Sequence, residues 1–229
     1  MLYYVLHLVL KPLTRLIYRP TIEGIDNVPT TGAVILASNH LSFVDSIVIP
    51  LVAPRRMAYL AKAEYFTGRG PVGWGQRALF TALGGIPVDR AAARSAHDSL
   101  DAALAVLNEG QIFGIYPEGT RSRDGRLYRG RTGVAWLAFE SGAPVVPVGL
   151  IGTEAIMPVG SRIPRVSRLT IRFGAPLAFD HLESEHPPAV ARRVATDTVM
   201  DAIAELTGQP RTDCYNSPPA NPAQPETEP

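Results

Sequence analysis

A histidine and an aspartate, His40 and Asp45, lie close together in the sequence, directly after the apolar run at residues 34–37. The run is typical of a buried strand, and α/β proteins build their sites at the carboxyl ends of strands. An imidazole can take a proton from a hydroxyl, and it does so best when a carboxylate holds its other ring nitrogen. A sharp bend between the two residues would therefore create a general base with an orienting partner. A simpler interpretation stays open, in which Ser42 and Asp45 form only a capping box for the next helix.

A second group of polar residues follows another apolar run, at residues 112–116, which also predicts a buried strand. Gly119 allows close approach of the backbone, Thr120 offers a hydroxyl donor, and Arg121 offers a planar fork that suits a phosphate group. Earlier in the chain, a turn at Gly84-Gly85 leads into a short strand and then to Arg90. The alternative for Arg90 is an ordinary surface salt bridge.

Strands and helices alternate along the rest of the chain. Further strands are predicted at 145–151 and 169–173, and helices at 46–52, 95–108, 132–140 and 189–206. Alternation of this kind predicts a single α/β domain with a mostly parallel or mixed central sheet flanked by helices. Pro147 lies inside one strand, so that strand is expected at a sheet edge or at a bulge. The glycine-rich residues 68–73 contain a proline and do not follow a buried strand, so they are predicted to form a loop.

The bulk properties argue against several classes of protein. The chain has 229 residues and a net charge of +1, which does not suggest a nucleic-acid-binding protein. Its single cysteine, Cys214, excludes an intrachain disulfide. The sequence has no cysteine pair and no H-E-x-x-H pattern, so no zinc site is expected. It also lacks the G-x-S-x-G pattern of α/β-hydrolases.

The first twenty residues have an unusual composition. Residues 1–10 are almost wholly apolar, and the basic residues Lys11, Arg15 and Arg19 follow them. The apolar stretch is shorter than the roughly 18 residues that a spanning helix needs. We therefore predict a short membrane-interfacial helix over residues 1–20, bent at Pro12. The alternative is an ordinary helix that packs on the domain.

The end of the chain also differs from the domain, which we place at residues 21–208. After Gly208 the sequence becomes rich in proline and loses its apolar pattern. Such a composition cannot bury enough apolar surface to offset the entropy of ordering. Residues 209–229 are therefore predicted to form a disordered tail, whose removal should leave activity largely unchanged.

Four blocks of sequence together resemble the glycerolipid acyltransferase family, which includes the 1-acylglycerol-3-phosphate (lysophosphatidate) acyltransferases. The blocks lie at residues 39–45, 84–90, 116–122 and 146–148. They are similar, in order, to the family motifs N-H-x-S-x-x-D, G-x-I-x-x-x-R, F-P-E-G-T-R-S and V-P-V. Lys62-Ala63-Glu64 and Pro71-Val72-Gly73-Trp74 match as well, so the resemblance covers about residues 22–174. Tyr116 departs from the pattern, since phenylalanine is usual there, and this difference would alter the pocket wall.

The resemblance implies transfer of a fatty acyl group from a thioester to the free hydroxyl of lysophosphatidate, which gives phosphatidate. It implies that His40 is the general base and that Asp45 is its orienting partner. The acceptor's phosphoglycerol pocket would comprise Lys62, Arg90, Glu118, Gly119, Thr120 and Arg121. Transfer would be direct, without an acyl-enzyme, and Cys214 is not expected to act as a nucleophile.

The implied partners are a lysophospholipid acceptor, an acyl-CoA or acyl carrier protein donor, and a membrane surface, with no cofactor and no metal. The enzyme would lie on the cytoplasmic face of the cell membrane as a peripheral or monotopic protein. The alternatives are acylation of glycerol-3-phosphate or another lysophospholipid, hydrolysis of the thioester, and non-catalytic lipid binding on the same scaffold. The presence of both His40 and Asp45 argues against a non-catalytic protein.

Overall fold

A computed structural model of the chain describes residues 2–88, 95–161 and 163–217. The strands in these ranges are β1 (Thr21–Glu23), β2 (Val34–Ser38), β3 (Met57–Lys62), β4 (Gly85–Val88), β5 (Ile112–Ile115), β6 (Val145–Ile151) and β7 (Thr170–Phe173). The helices are α1 (Leu2–Tyr18), α2 (Asp45–Val52), α3 (Glu64–Thr67), α4 (Gly70–Ala82), α5 (Ser95–Asn108), α6 (Gly133–Ser141), α7 (Thr153–Ile156), α8 (Leu182–Glu185) and α9 (Pro188–Thr207). A 3-10 turn, Ile25–Asn27, follows β1.

The seven described strands form one sheet in the order β1-β7-β6-β2-β5-β3-β4. All neighbouring strands are parallel except β6 and β7, which are antiparallel. The predicted mixed α/β sheet is therefore confirmed. Because β2 and β5 are adjacent and parallel, the loops after both strands emerge at the same edge of the sheet.

Both faces of the sheet are covered, which explains why the central strands are apolar without alternation. On β2, Val34 and Leu36 point to one face and pack in a cluster that includes residues of α2 and α4. Ile35 and Ala37 point to the other face and pack in a cluster that includes residues of α5, α6 and α9. All four side chains are at most 1% exposed. The two clusters fix β2, and with it the residues that follow.

Helix α1 runs through Pro12, and over residues 8–18, whose side chains are described, it packs on the domain by one side. Leu10 and Tyr18 contact the core, and the helix touches α2 and α4. Its remaining large apolar side chains in the described part are exposed: Leu8, Val9, Leu13, Leu16 and Ile17. Within the residues that the structure describes, no helix is both long and apolar enough to cross a membrane.

The glycine-rich residues 68–73, predicted as a loop, instead lead directly into α4. The helix begins at Gly70 and has Pro71 in its first turn, where a missing amide hydrogen costs nothing. A Cβ atom on Gly73 would lie 2.2 Å from the carbonyl carbon of Gly68. These two glycines therefore permit a close backbone contact at the start of the helix.

The sequence predicted that the strand with Pro147, β6, lies either at a sheet edge or at a bulge, and the first alternative was wrong. β6 is not an edge strand, since it lies between β7 and β2. Pro147 has no amide hydrogen to donate. Its carbonyl faces β7 just past the end of that strand and accepts a hydrogen bond from Gly174 N at 2.8 Å, so the missing donor falls where the regular pairing with β7 has stopped. The pairing resumes at Val145 and Leu177, one residue out of step with Val148 and Phe173, as at a bulge. The bulge alternative therefore fits.

Residues 209–217, here called the C-terminal segment, do not form the disordered tail that their composition predicts. Their backbone forms hydrogen bonds with residues 127–129, which lie about 80 residues earlier in the chain. These long-range bonds hold the segment in place. Composition alone does not register such non-local bonds. The rest of the predicted tail, residues 218–229, lies outside the described residues.

Candidate active site

The bend between β2 and α2 brings His40 and Asp45 together. His40 Nδ1 lies 2.8 Å from Asp45 Oδ2. The same oxygen accepts hydrogen bonds from the backbone amides of Leu41 and Ser42, each at 2.7 Å. Only half of the capping box is formed: Asp45 accepts from Ser42 N, but the Ser42 hydroxyl donates to the carbonyl of Met157 at 2.8 Å instead of bonding to the helix. The dyad predicted from the sequence is therefore present as a geometry.

The dyad fixes the proton on one ring nitrogen of His40. Asp45 Oδ2 accepts bonds from two amides, so Nδ1 is the donor in its contact with this oxygen. In the neutral tautomer that donates from Nδ1, the other nitrogen, Nε2, carries no proton and can accept one. The Asp45 side chain is fully buried, whereas that of His40 is 14% exposed. Substrate can therefore approach the imidazole without reaching the carboxylate.

Tyr116 fixes the plane of the imidazole. Its ring stacks on that of His40, with the centroids 3.9 Å apart and the planes 10° from parallel. The Tyr116 hydroxyl lies 3.1 Å from Ser46 Oγ on α2. Burial, helped by the nearby Asp45 charge, raises the pKa of Tyr116 well above its ordinary value, so the phenol stays neutral. A phenylalanine could stack in the same way but could not bond to Ser46.

The main chain of His40 is held by the loop at residues 116–132, which joins β5 to α6 and is here called the β5–α6 loop. His40 N donates to Glu118 Oε1 at 3.2 Å, and His40 O accepts from Ser122 N at 2.7 Å. The second oxygen of Glu118 accepts from Tyr128 N at 3.0 Å. Burial raises the pKa of Glu118 to about 7, against the lowering effect of these two backbone bonds.

The structure does not bring Glu118 to the pocket, contrary to the expected contact with substrate. Its side chain is fully buried, and both oxygens accept backbone amides. Gly119 has a φ of 77°, and a Cβ there would lie 2.9 Å from Arg131 Nε. Gly119 and Thr120 belong to the same loop but are not among the residues that line the cleft. Arg90 lies outside the described residues.

An open cleft surrounds the exposed edge of His40. Its lining joins two cations, Lys62 and Arg121, to an apolar wall. The lining residues are His40, Phe43, Ser46, Leu60, Ala61, Lys62, Tyr65, Phe80, Tyr116 and Arg121. Lys62 is the last residue of β3, and Arg121 extends from the β5–α6 loop. Parallel strands thus deliver the imidazole and both cations to one edge of the sheet.

Sequence reasoning missed the aromatic wall. Tyr65 and Phe80 stack with centroids 4.5 Å apart, and Phe43 meets each of them edge to face at 5.7 Å. A signal was present, since Phe43 lies inside the His40–Asp45 block and Tyr65 directly follows Lys62-Ala63-Glu64. Phe80 is more distant in sequence, and only the packing of α4 brings it to the cleft. The cleft therefore combines apolar aromatic side chains with the two cations Lys62 and Arg121.

The fold and the site define an α/β protein with a His–Asp pair at a cleft that is lined by two cations and by aromatic rings. Comparison with known families adds a match to the family described as Acyltransferase over residues 19–151. This match covers more than half of the chain, which therefore belongs to the acyltransferase family.

Curated relatives carry the name 1-acyl-sn-glycerol-3-phosphate acyltransferase. The chloroplastic BAT2 protein of Brassica napus is 34% identical over 145 residues, covering 63% of this chain and 40% of its own length. A protein of Bacillus subtilis is 28% identical over 184 residues, covering 79% of this chain and 84% of its own length. The chain spans only part of the other plant relatives: 39% of the length of LPAT1 of Arabidopsis thaliana and 52% of the length of the Limnanthes douglasii protein.

A solved structure has the same fold. The crystal structure of the 1-acyl-sn-glycerophosphate acyltransferase PlsC from Thermotoga maritima superposes with a TM-score of 0.67 at 25% identity. The match covers 89% of this chain and 79% of that one. The likeness therefore includes nearly all of the sheet and helices described above.

Proposed function

We propose that the chain transfers a fatty acyl group from a thioester to the free hydroxyl of 1-acylglycerol-3-phosphate, giving phosphatidate. The observation that carries the proposal is the cleft itself, where the His40–Asp45 dyad lies beside Lys62 and Arg121 and an aromatic wall. A lysophosphatidate has the matching parts: a hydroxyl, a phosphomonoester and an acyl chain. The names of the relatives support the same acceptor.

The reaction starts when Nε2 of His40 takes the proton of the acceptor hydroxyl. The hydroxyl oxygen attacks the thioester carbonyl, and a tetrahedral oxyanion forms. Its collapse breaks the C–S bond, and the thiolate leaves with the electron pair and receives the proton from the imidazolium. Asp45 stabilises the imidazolium between these two steps. Neither an acyl-enzyme nor a cofactor is needed, and the donor is acyl-CoA or acyl carrier protein.

Phosphate recognition is assigned to the cations at the edge of the cleft. Arginine stays protonated and presents paired donors, whereas lysine acts as a compact point charge. Arg121 and Lys62 approach the cleft from two different elements, so together they can hold a dianion from two sides. We include Arg90 on the sequence resemblance alone. The aromatic wall would contact an acyl chain.

The proposed site of action is the cytoplasmic face of the cell membrane, with the protein bound peripherally. The support is α1, whose exposed Leu8 and Leu16 could enter a bilayer. Arg15 on the helix and Arg19 just after it could meet anionic headgroups.

The test is release of free thiol from an acyl-CoA by the purified full-length protein. The acceptors are lysophosphatidate, glycerol-3-phosphate, lysophosphatidylcholine and none. We expect fast release with lysophosphatidate only. Release at the same rate without any acceptor would identify a thioesterase instead. Absence of release with every acceptor from a folded protein would favour a non-catalytic lipid-binding role.

Variants of the cations distinguish acceptor binding from donor binding. Arg121→Ala should raise the KM for lysophosphatidate about 10- to 100-fold, since a charge-assisted hydrogen bond is worth about 1.5–3 kcal/mol. The KM for acyl-CoA should stay nearly constant. Arg123→Ala is the matched control, because Arg123 is an exposed arginine of the same loop that does not line the cleft. A rise in the donor KM alone would assign the cation to coenzyme A.

A further inference from the structure

The C-terminal segment forms backbone hydrogen bonds with the β5–α6 loop. The amide of Leu127 donates to the carbonyl of Pro210, and its carbonyl accepts from Thr212 N, both at 3.0 Å. Arg129 N donates to the carbonyl of Cys214, also at 3.0 Å. The loop has no helix of its own between β5 and α6. Loops of this length without regular structure are uncommon in compact domains, so contacts from outside are needed to fix this one.

The segment is itself anchored to a long helix. Arg211 forms ion pairs with Asp197 and Asp201, both on α9. Near the end of the segment, Asn216 Nδ2 donates to the carbonyl of Arg121 at 3.1 Å. The segment therefore connects α9 directly to the backbone of the arginine that lines the cleft.

Gln209 makes the most direct connection to the catalytic bend. Its Oε1 accepts a hydrogen bond from Asn39 Nδ2 at 2.7 Å, and its Nε2 donates to the carbonyl of Gly125 at 2.8 Å. Asn39 is fully buried, precedes His40, and is bonded in both directions to the backbone of Leu150 on β6. One primary amide thus joins a rigid point beside the imidazole to the tip of the β5–α6 loop.

We propose that Gln209 is a positioning residue for acceptor binding: by joining Asn39 to Gly125, its amide keeps the β5–α6 loop in place and holds Arg121 in the cleft beside His40. The inference rests on the proposed function for the identity of the acceptor. It reverses the expectation that everything after Gly208 can be removed without loss. A fixed loop costs less entropy on binding, so acceptor affinity should fall when the connection is cut.

The decisive variant is Gln209→Glu. A carboxylate of nearly the same size can still accept from Asn39 but cannot donate to the carbonyl of Gly125. Gln209→Ala removes both bonds and serves as the full deletion. Cys214→Ser is the control, because this residue is exposed and only its backbone carbonyl bonds to the loop.

The first measurement does not depend on any substrate. Amide hydrogen exchange is followed in the full-length protein and its variants. Gln209→Glu should accelerate exchange at Leu127, Tyr128 and Arg129 about tenfold, the effect of losing one hydrogen bond. Exchange in β2 and β6 should be unchanged, and Cys214→Ser should match the unmodified protein. Unchanged exchange in the loop of Gln209→Glu would overturn the inference whatever the enzyme acts on.

The second measurement is steady-state kinetics with lysophosphatidate and acyl-CoA. Gln209→Glu and Gln209→Ala should raise the acceptor KM about tenfold, with the donor KM and the thermal midpoint nearly unchanged. A chain that ends at Ser217 should behave like the full-length protein, whereas one that ends at Gly208 should show the larger defect. Faster exchange with an unchanged acceptor KM would also overturn the inference. Failure of the proposed function would instead appear as absent transfer by the unmodified protein.

Discussion

The imidazole of His40 is held by several different groups at once. Asp45 fixes its Nδ1, Tyr116 covers one face of its ring, and Glu118 and Ser122 hold its backbone amide and carbonyl. Each group removes a separate degree of freedom: rotation of the ring, tilt of the ring, and displacement of the chain. An imidazole held in this way loses little conformational entropy when it reaches the geometry for proton transfer.

The first prediction concerns the dyad. His40→Ala should lower turnover roughly 10²–10⁴-fold, the usual contribution of a general base, without loss of the fold. Asp45→Asn should also be severe, because an amide cannot accept from Nδ1 and from two backbone amides as the carboxylate does. Thiol release is measured beside thermal melting for each variant. Turnover near the unmodified level in a folded His40→Ala protein would contradict the proposed mechanism.

The second prediction concerns the pH dependence of stability. The folded-state pKa of Glu118 is about 7, above its ordinary value of 4.5, so the folded chain keeps this proton when the unfolded chain has lost it. The contribution of Glu118 is therefore fully present below pH 4.5 and is lost as the pH rises to about 7.

The comparison that isolates this effect is with Glu118→Gln. The free energy of unfolding of the unmodified protein, minus that of the variant, should decrease between pH 4.5 and pH 7.5 by roughly 3 kcal/mol at most. Urea titrations at several pH values measure it. A difference that stays constant with pH would mean that folding does not raise the pKa of Glu118.

Much of the site could be predicted from the sequence because its residues follow strands. His40, Lys62 and Arg121 each lie at or just beyond the end of a parallel strand, and the sheet brings such ends together. Glu118 was expected in the pocket because the family resemblance implied it. Its side chain instead bonds to the backbones of His40 and Tyr128, and no sequence pattern reports which way a buried carboxylate turns.

For helices and strands, the agreement between prediction and structure depends on how clearly the sequence marks each element. The predicted strand at 34–37 and helix at 189–206 agree with β2 and α9 to within one residue at each end, because continuous apolar runs and a terminal Gly208 mark them. β3 and α4 were missed. The first mixes Lys62 and Tyr59 into its apolar residues, and the second begins with glycines and a proline.

The third prediction concerns α1. The double variant Leu8→Ser, Leu16→Ser should bind anionic vesicles about tenfold or more weakly. Burial of each leucine side chain in the bilayer would contribute roughly 1.5–3 kcal/mol to the binding free energy. Co-sedimentation with anionic and neutral vesicles measures the effect. Leu8 and Leu16 are 78% and 71% exposed, so the fold should be unaffected. Removing residues 1–19 is a harsher test, because it also takes away Leu10 and Tyr18, which contact the core. Equal sedimentation of all forms would refute membrane docking by α1.

For the whole molecule, the sheet and its two covered faces act as one unit. Phe113, on the central strand β5, is fully buried in one face, whereas Ile112 belongs to the cluster on the other. A defect in β5 therefore disturbs both clusters at once. Unfolding should follow a single cooperative transition.

The fourth prediction tests this cooperativity. Phe113→Ala should lower the free energy of unfolding by about 3–5 kcal/mol, through lost apolar burial and a residual cavity. Val72→Ala is the control, because Val72 is 84% exposed and should change stability by less than about 0.5 kcal/mol. Urea unfolding is followed by fluorescence and by circular dichroism. Two non-coincident transitions would show that the faces unfold separately.

The position of β2 in the middle of the sheet has a consequence for biosynthesis. β2 is made early, but its two neighbours come much later: Val34 pairs with Ile112 on β5, and Ile35 pairs with Val145 on β6. Both edges of this apolar strand are therefore unpaired until about residue 115 has left the ribosome, and the edge that pairs with β6 stays unpaired until about residue 148. Pairing over such separations is slow, so aggregation competes with folding for longer than in a protein whose neighbouring strands are consecutive in sequence.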